Sequence, residues 1–469
     1  MIVKNPPLVI HADNPFKEDA LSRAESAEIL TGLLSTIETP FVLAIDSGWG
    51  TGKTTFVSMW KQQLENSGYP CLYFNAWEND FSPDPLIAFI GEMKAGIDHF
   101  KLSPDRASKA QEYFEKTKKI GSSLAKKIIP IALKVGTAGV LDLDAFSEKS
   151  LAEFTEKIAQ DKIDQYEADK LTMQEFRTTL ETFVEEISKT ETEEKRPLVF
   201  FIDELDRCRP TYAVELLERV KHLFNIPGIF FVLTLDKDQI GHSIRALYGT
   251  GMNVDGYLRR FIDLEYLLPA PSTESFCKYL FGRFGFENYF RLRTTRDAHY
   301  EKEQLLEAFT NLSQAFNFSL RVQEQCFSQF SLALRTTPAD FYLFPLFLTT
   351  LIALKAANTG LYKSYITQSG SPSEVVKYIS DKCAINRFME GNYGAAIEAY
   401  IMAGHCKRNE EISAVITQYQ KAAEGAKTEN EKERANRIIE IIKGHIYREH
   451  RYMLDYLIKK IEISERFVK

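Results

Sequence analysis

One junction constrains this chain more than any other feature: the apolar run Phe41-Val-Leu-Ala-Ile45 ends in Asp46 and passes at once into Ser47-Gly-Trp-Gly-Thr-Gly-Lys-Thr54. Beyond it Phe56, Val57, Trp60 and Leu64 recur at helical spacing. A run without polar positions suits a strand buried on both faces. Small residues in the turn let successive backbone N–H groups point inward at an anion, and the N-terminus of the next helix adds positive dipole. Strand, loop and helix in this order make a phosphate loop. The candidate nucleotide contacts are therefore Ser47, Gly48, Trp49, Gly50, Thr51, Gly52, Lys53, Thr54 and Thr55. Lys53 is the point charge for β- and γ-phosphate oxygens, and the Thr54 hydroxyl is the candidate ligand for Mg2+. Such loops usually begin with Gly; here Ser47 stands first, and Gly48 and Gly50 supply the backbone freedom.

The second element is Leu198-Val-Phe-Phe-Ile-Asp-Glu-Leu-Asp-Arg207, an apolar strand that ends in three carboxylates. Asp203 at its tip is the candidate metal ligand, directly or through water, and Glu204 the group that polarises an attacking water. Asp206 and Arg207 are open to two readings, an ion pair capping the next helix or a catalytic role. A base beside the metal ligand points to hydrolysis of a nucleotide, ATP by expectation, rather than phosphoryl transfer to a metabolite.

Further buried strands are expected at 71–74, 198–202, 229–233 and 264–268, separated by helical patterns, which predicts an α/β fold with a parallel sheet flanked by helices. A chain of 469 residues exceeds one ordinary core. Residues 1–80 and 196–270 are assigned to the two parts of the sheet domain, 81–195 to a long helical insertion, and 271–469 to an all-helical lid and C-terminal domain. Within the insertion the charged stretches 112–127 and 151–190 read as solvated helical faces, and 189–196 as an exposed linker. Near the end, Leu454, Leu457, Ile458 and Ile461 share a helical face that should dock on the body or on a partner.

The formal net charge of -7 gives no global support to nucleic-acid binding. Six scattered cysteines without CxxC spacing or a signal peptide fit reduced thiols and a cytoplasmic location. The most apolar stretch, 128–141, is interrupted by Pro130, Lys134 and Gly136 and falls short of the ~20 residues of a membrane span.

These residues resemble the KAP P-loop NTPases, a branch of the additional-strand, catalytic-glutamate class. Three blocks carry the resemblance: the loop with Trp49, the strand end Phe74-Asn-Ala-Trp77, and Ile202-Asp-Glu-Leu-Asp-Arg-Cys208. Pro210, Asp236 and the segment from Tyr257 to Pro269 support it. The resemblance implies ATPase activity and a further set of roles. Asp19, Leu21 and Arg23 match the segment beside the adenine, which reads equally as a surface helix. Thr234, taken to lie just past the fourth strand, matches a sensor of the γ-phosphate or attacking water, and suits a strand residue equally well. Arg259 and Arg260, on the helix before the fifth strand, match the place of an arginine finger, Arg260 the better candidate. Arg321 is a candidate lid arginine. Trp77 reads as a packing residue under the sheet edge. Family members often carry paired membrane helices in the insertion, which this chain lacks.

The function so implied is an ATP-driven switch or motor, homo-oligomeric, acting on an unidentified protein partner through the insertion or C-terminal domain, with anti-phage defence implied by kinship. The alternatives are a nucleotide-dependent scaffold with little turnover and, disfavoured by Glu204, a small-molecule kinase.

Overall fold

The computed structural model describes residues 2–6, 8–82, 84–97, 100, 102–127, 148–189, 195–220, 225–294, 298–448 and 450–462. The stretch 128–141 and most of the linker 189–196 lie outside the described residues. The chain forms two compact units, one of Val9–Ala270 and one of Met1–Leu8 with Pro271–Lys469.

In the first unit five strands make one parallel sheet: β1 (Phe41–Asp46), β2 (Cys71–Asn75), β3 (Leu198–Asp203), β4 (Ile229–Leu235) and β5 (Leu264–Leu267), in the order β2-β3-β4-β1-β5. Every residue of β3 and β4 is buried, which is why neither shows apolar–polar alternation in sequence. β4 separates the strand that leads into the glycine loop from the strand that ends in acids, as the additional strand of the class does.

Successive side chains point to opposite faces of a strand, and each face has its own helical cover. Leu43, Ile45, Val199, Phe201, Phe230 and Val232 pack under α1 (Ala24–Thr36) and α2 (Lys53–Asn66). Trp60 of α2 meets Phe201 edge-on at 5.5 Å and donates its indole N–H to Thr31 of α1 at 2.9 Å. On the other face Val42, Ala44, Phe200, Ile202, Phe231 and Leu233 meet helices of the insertion: α3 (Pro85–Ile97), α4 (Pro104–Lys127) and α5 (Glu148–Ser188). Phe89 stacks on Phe200 at 4.3 Å, and Phe114, Phe176, Phe183 and Val184 join the same core. The charged stretches of the insertion are thus amphipathic, with a buried apolar row beneath the solvated face. Gly121 marks the closest approach: a Cβ there would lie 2.4 Å from Ile90 and 3.0 Å from Phe176. Among the described residues of the insertion the one extended contact is an antiparallel bridge between Lys189 and Lys195. The unit is completed by α6 (Pro210–Val220), α7 (Lys237–Tyr248) and α8 (Val254–Leu258).

Among the described residues of the second unit the regular secondary structure is entirely helical. An aromatic core gathers Phe281, Phe284, Phe286, Phe309, Phe327 and Phe330. The helix Pro345–Ala357 is buried along ten consecutive positions. The last helix, His450–Ile461, buries Met453, Leu454, Leu457 and Ile461, so the apolar face docks on its own unit. Arg293 and Glu301 form an ion pair at 2.9 Å with side chains 1% and 0% exposed, and Arg293 also donates to the Tyr289 hydroxyl at 2.7 Å. Removing one partner of such a pair strands a buried charge. Glu301→Ala is accordingly expected to destabilise this unit by about 3–5 kcal/mol, read as a lowered denaturant midpoint with an unchanged slope. Among the described residues no helix is long and apolar enough to cross a membrane.

Candidate active site

In a parallel sheet the loops that follow the strands collect at one edge, and here that edge receives the turns after β1, β2, β3 and β4. The glycine loop closes on itself by its own side chains. The Ser47 hydroxyl donates to Thr51 Oγ1 at 2.8 Å, and the Thr51 hydroxyl donates to the Gly48 carbonyl at 2.8 Å. Ser47, standing where Gly is usual, therefore braces the loop. Gly50 and Gly52 are the positions where glycine is needed, with φ of 72° and 89° in the left-handed region. Gly52 is the N-cap of α2 and accepts the first helical bond, from Phe56 N–H at 3.0 Å. Thr54 is half-buried and Thr55 exposed.

Lys53 is buried, and its ammonium donates to the carbonyls of Ser47 and of Gly48, the latter at 3.2 Å. It is folded onto its own loop. Burial pushes its pKa down, while Asp206, Asp236, Asp203 and Asp46 oppose that shift. With four carboxylates near this one cation, a polyanion bound here gains from any further positive charge that arrives with it.

Asp203 is 1% exposed at the end of β3. Its Oδ1 accepts the Thr234 hydroxyl and, at 2.8 Å, the N–H of Glu204; its Oδ2 accepts the Tyr73 hydroxyl at 2.8 Å. Thr234 lies inside β4, which runs two residues further than the apolar run suggested, to Leu235. Adjacent strands bring its hydroxyl onto the acid.

Glu204 has φ 59° and ψ 28°, a left-handed backbone costly for a residue with a Cβ. Such strain concentrates at functional sites. The turn sends its carboxylate back toward the loop, with Oε1 3.5 Å from the Thr54 hydroxyl. Oε1 also accepts from Arg207, and Oε2 lies 3.4 Å from Asn75 Nδ2. Burial raises the Glu204 pKa, Arg207 counters it, and Asp203 adds to the rise. Arg207 therefore pairs with Glu204, not with Asp206. Asp206, buried, accepts the indole N–H of Trp49, so this pair ties the glycine loop to the segment after β3.

Arg23 is 3% exposed and donates to the Pro269 carbonyl at 2.5 Å and the Thr51 carbonyl at 3.3 Å, joining the segment before α1 to the loop and to the exit from β5. Asp19 caps the turn ahead of it through the N–H groups of Leu21 at 3.1 Å and Ala24 at 2.9 Å.

Other candidates stand apart. Arg259 and Arg260 follow the end of α8 rather than lying within it, and both are exposed. Since Leu264 of β5 pairs with Leu43 of β1, they lie toward the starting edge of the sheet, away from the glycine loop that follows Asp46. Arg321 is exposed on the first turn of the helix Leu320–Arg335, in the second unit. Trp77 is not a packing residue under the sheet: it is 52% exposed, because the chain turns out of β2 at Asn75, whose side-chain oxygen accepts from Glu78 N–H at 3.1 Å. Phe74, fully buried, takes the packing role.

Sequence reasoning missed Tyr73 and, as a partner of Glu204, Asn75. Their spacing of two residues, which puts both on one face of a strand that ends beside the acids, was the available signal.

The family model for the KAP family P-loop domain matches residues 23–337. The chain belongs to the KAP family. Its match begins at the buried Arg23 and takes in the loop, β3 and the acids. A KAP protein of this kind is a P-loop NTPase, and nucleotide-dependent activity comes with the fold. The chain is also similar to an uncharacterized protein of Methanocaldococcus jannaschii, 27% identical over 184 residues, 35% of this chain and 90% of that one. A second similarity is to the phage T7 exclusion protein of Escherichia coli K12, 22% identical over 285 residues, 55% of this chain and 34% of that protein.

P-loop NTPases generally bind Mg2+ with the nucleotide. Among the described residues there is no cluster of three or more His, Cys, Asp or Glu side chains able to cage a metal. Mg2+ keeps several waters and takes one or two protein ligands beside the phosphates. The Thr54 hydroxyl and the Asp203 carboxylate match that sparse donor set.

Proposed function

We propose that this KAP protein is a Mg2+-dependent ATPase that works in the cytoplasm as a nucleotide-driven switch or motor for a protein partner. The observation that carries the reading is the convergence of Lys53, Asp203, Glu204 and Thr234 from three neighbouring strands on one sheet edge, with Glu204 held in a strained backbone. When bound, Mg2+ would withdraw charge from the phosphate oxygens. The chain's own groups do the rest. Lys53 exchanges the carbonyls of Ser47 and Gly48 for phosphate oxygens, the backbone N–H groups of the loop surround the β-phosphate, and Glu204 takes the proton of the attacking water. Thr234, with its hydroxyl on Asp203, stands ready to orient that water. The insertion at 81–195 and the helices of 271–469 carry partner recognition in this reading. Similarity to a phage T7 exclusion protein supports anti-phage defence as the setting.

One observation favours a second reading, a nucleotide-dependent scaffold with little turnover: Arg207 pairs with Oε1 of Glu204, the oxygen that faces Thr54, and so competes for the carboxylate. Phosphate release measured on the isolated protein separates the two.

The site itself is tested by Lys53→Ala. Hydrogen bonds to a charged group contribute about 1.5–3 kcal/mol, so ATP affinity should fall by about a hundredfold while thermal unfolding is unchanged. Calorimetry that finds ATP affinity intact would remove the loop from the proposal.

A further inference from the structure

The acids at the end of β3 take their hydrogen bonds from a neighbour that the sheet places beside them. β2 pairs with β3 in the register Tyr73↔Phe201 and Asn75↔Asp203, so Tyr73 stands on the same face as Asn75, two residues before the strand ends beside the site. Its hydroxyl reaches Asp203 Oδ2 at 2.8 Å. A carboxylate oxygen offers about two acceptor positions. On Oδ1 both are taken, one by the Thr234 hydroxyl and one by the Glu204 N–H. On Oδ2 Tyr73 takes one. A single acceptor position on Asp203 is left for a metal ion or a metal-bound water, and which one it is depends on the tyrosine.

We propose that Tyr73 is a positioning residue that sets the Mg2+ affinity of the site, by directing the one remaining lone pair of Asp203 Oδ2 toward the metal. A hydroxyl in this place acts through the carboxylate to which it donates. Losing such an outer partner usually costs 10–100-fold in metal affinity. Nucleotide binding without metal runs through Lys53 and the loop, and is untouched by it. The inference rests on the proposed nucleotide site, but fails separately from it. Lys53→Ala tests binding of ATP without Mg2+, whereas Tyr73 governs only the Mg2+ requirement.

The experiment titrates Mg2+ against binding of a non-hydrolysable ATP analogue, followed by calorimetry, in the parent protein and in Tyr73→Phe. The expected result is a Mg2+ midpoint raised about 10- to 100-fold, with unchanged analogue affinity in EDTA and an unchanged thermal midpoint. An unmoved Mg2+ midpoint in the folded variant would overturn the proposal. So would an equal loss of affinity in EDTA, which would give Tyr73 a merely structural part. A cycle with Asp203→Asn supplies the second measurement. If Tyr73 acts through Asp203, adding Tyr73→Phe to Asp203→Asn moves the Mg2+ midpoint no further. Full additivity would show that the tyrosine acts elsewhere.

Discussion

Glu204→Gln is expected to lower ATP turnover by about 10²- to 10⁴-fold, the usual contribution of a general base, while ATP and Mg2+ still bind. The amide keeps the shape of the side chain and, with its oxygen turned to Asn75, that bond, but it cannot take a proton. Asp203, with its three hydrogen bonds, remains in place. A stable ATP complex should accumulate, seen as ATP retained through gel filtration and recovered unhydrolysed. The substitution also removes the charge that holds Arg207, so that guanidinium becomes free to move. Hydrolysis at the parent rate would assign the water to another residue, and Asp206, buried and tied to Trp49, would be the first to test.

The fold class was legible because β1, β3 and β4 are built on uninterrupted apolar runs, and such a run has few uses other than a strand covered on both faces; β5, expected to be buried, is instead a largely exposed edge strand interrupted by Glu265. β1 and β3 also end in acids, which fixed where the sheet's functional edge lay. The contacts among those acids were less legible. Arg207 is three residues from Glu204 and one from Asp206, and proximity in sequence favoured neither; the left-handed turn at Glu204 decides it. Tyr73 and Asp203 are 130 positions apart, and only the register of β2 on β3 brings them together. No local pattern encodes such a register when both strands are apolar. Trp77 misled for a different reason. Near the buried Phe74 a tryptophan looks like more core, but the side chain of Asn75 turns the chain outward two residues earlier. The insertion's charge was equally deceptive, since the buried row of Phe176, Leu180, Phe183 and Ile187 is one face of a helix whose remaining faces are polar.

The site is expected to be completed by a second copy of the chain, with Arg260 delivered across the interface. β5 runs parallel to β1 and pairs Leu264 with Leu43, while the glycine loop begins after Asp46. Three residues at about 3.3 Å each already separate those two levels by about 10 Å, and Arg260 lies still earlier in the chain. An arginine at that edge does not serve its own loop. It is available to a neighbour's, in a head-to-tail contact that joins two different surfaces. The side bearing Arg260 exposes Leu247, Tyr248 and Leu264, and the rim around the loop exposes Trp49, Trp77 and Phe81, so each surface offers apolar area to the other. Phosphoryl transfer builds charge on the γ-phosphate oxygens, and an arginine supplied there contributes about 10³ to 10⁵ in rate. Specific activity should therefore rise with protein concentration. Arg260→Ala should be nearly inactive alone, and mixing it with Glu204→Gln should restore activity. Random pairing in an equal mixture joins an intact base to an intact finger at about a quarter of interfaces of this head-to-tail kind. Activity that is independent of concentration, together with a monomeric mass by light scattering in the presence of ATP, would end the interface model and make Arg321 the arginine to test next.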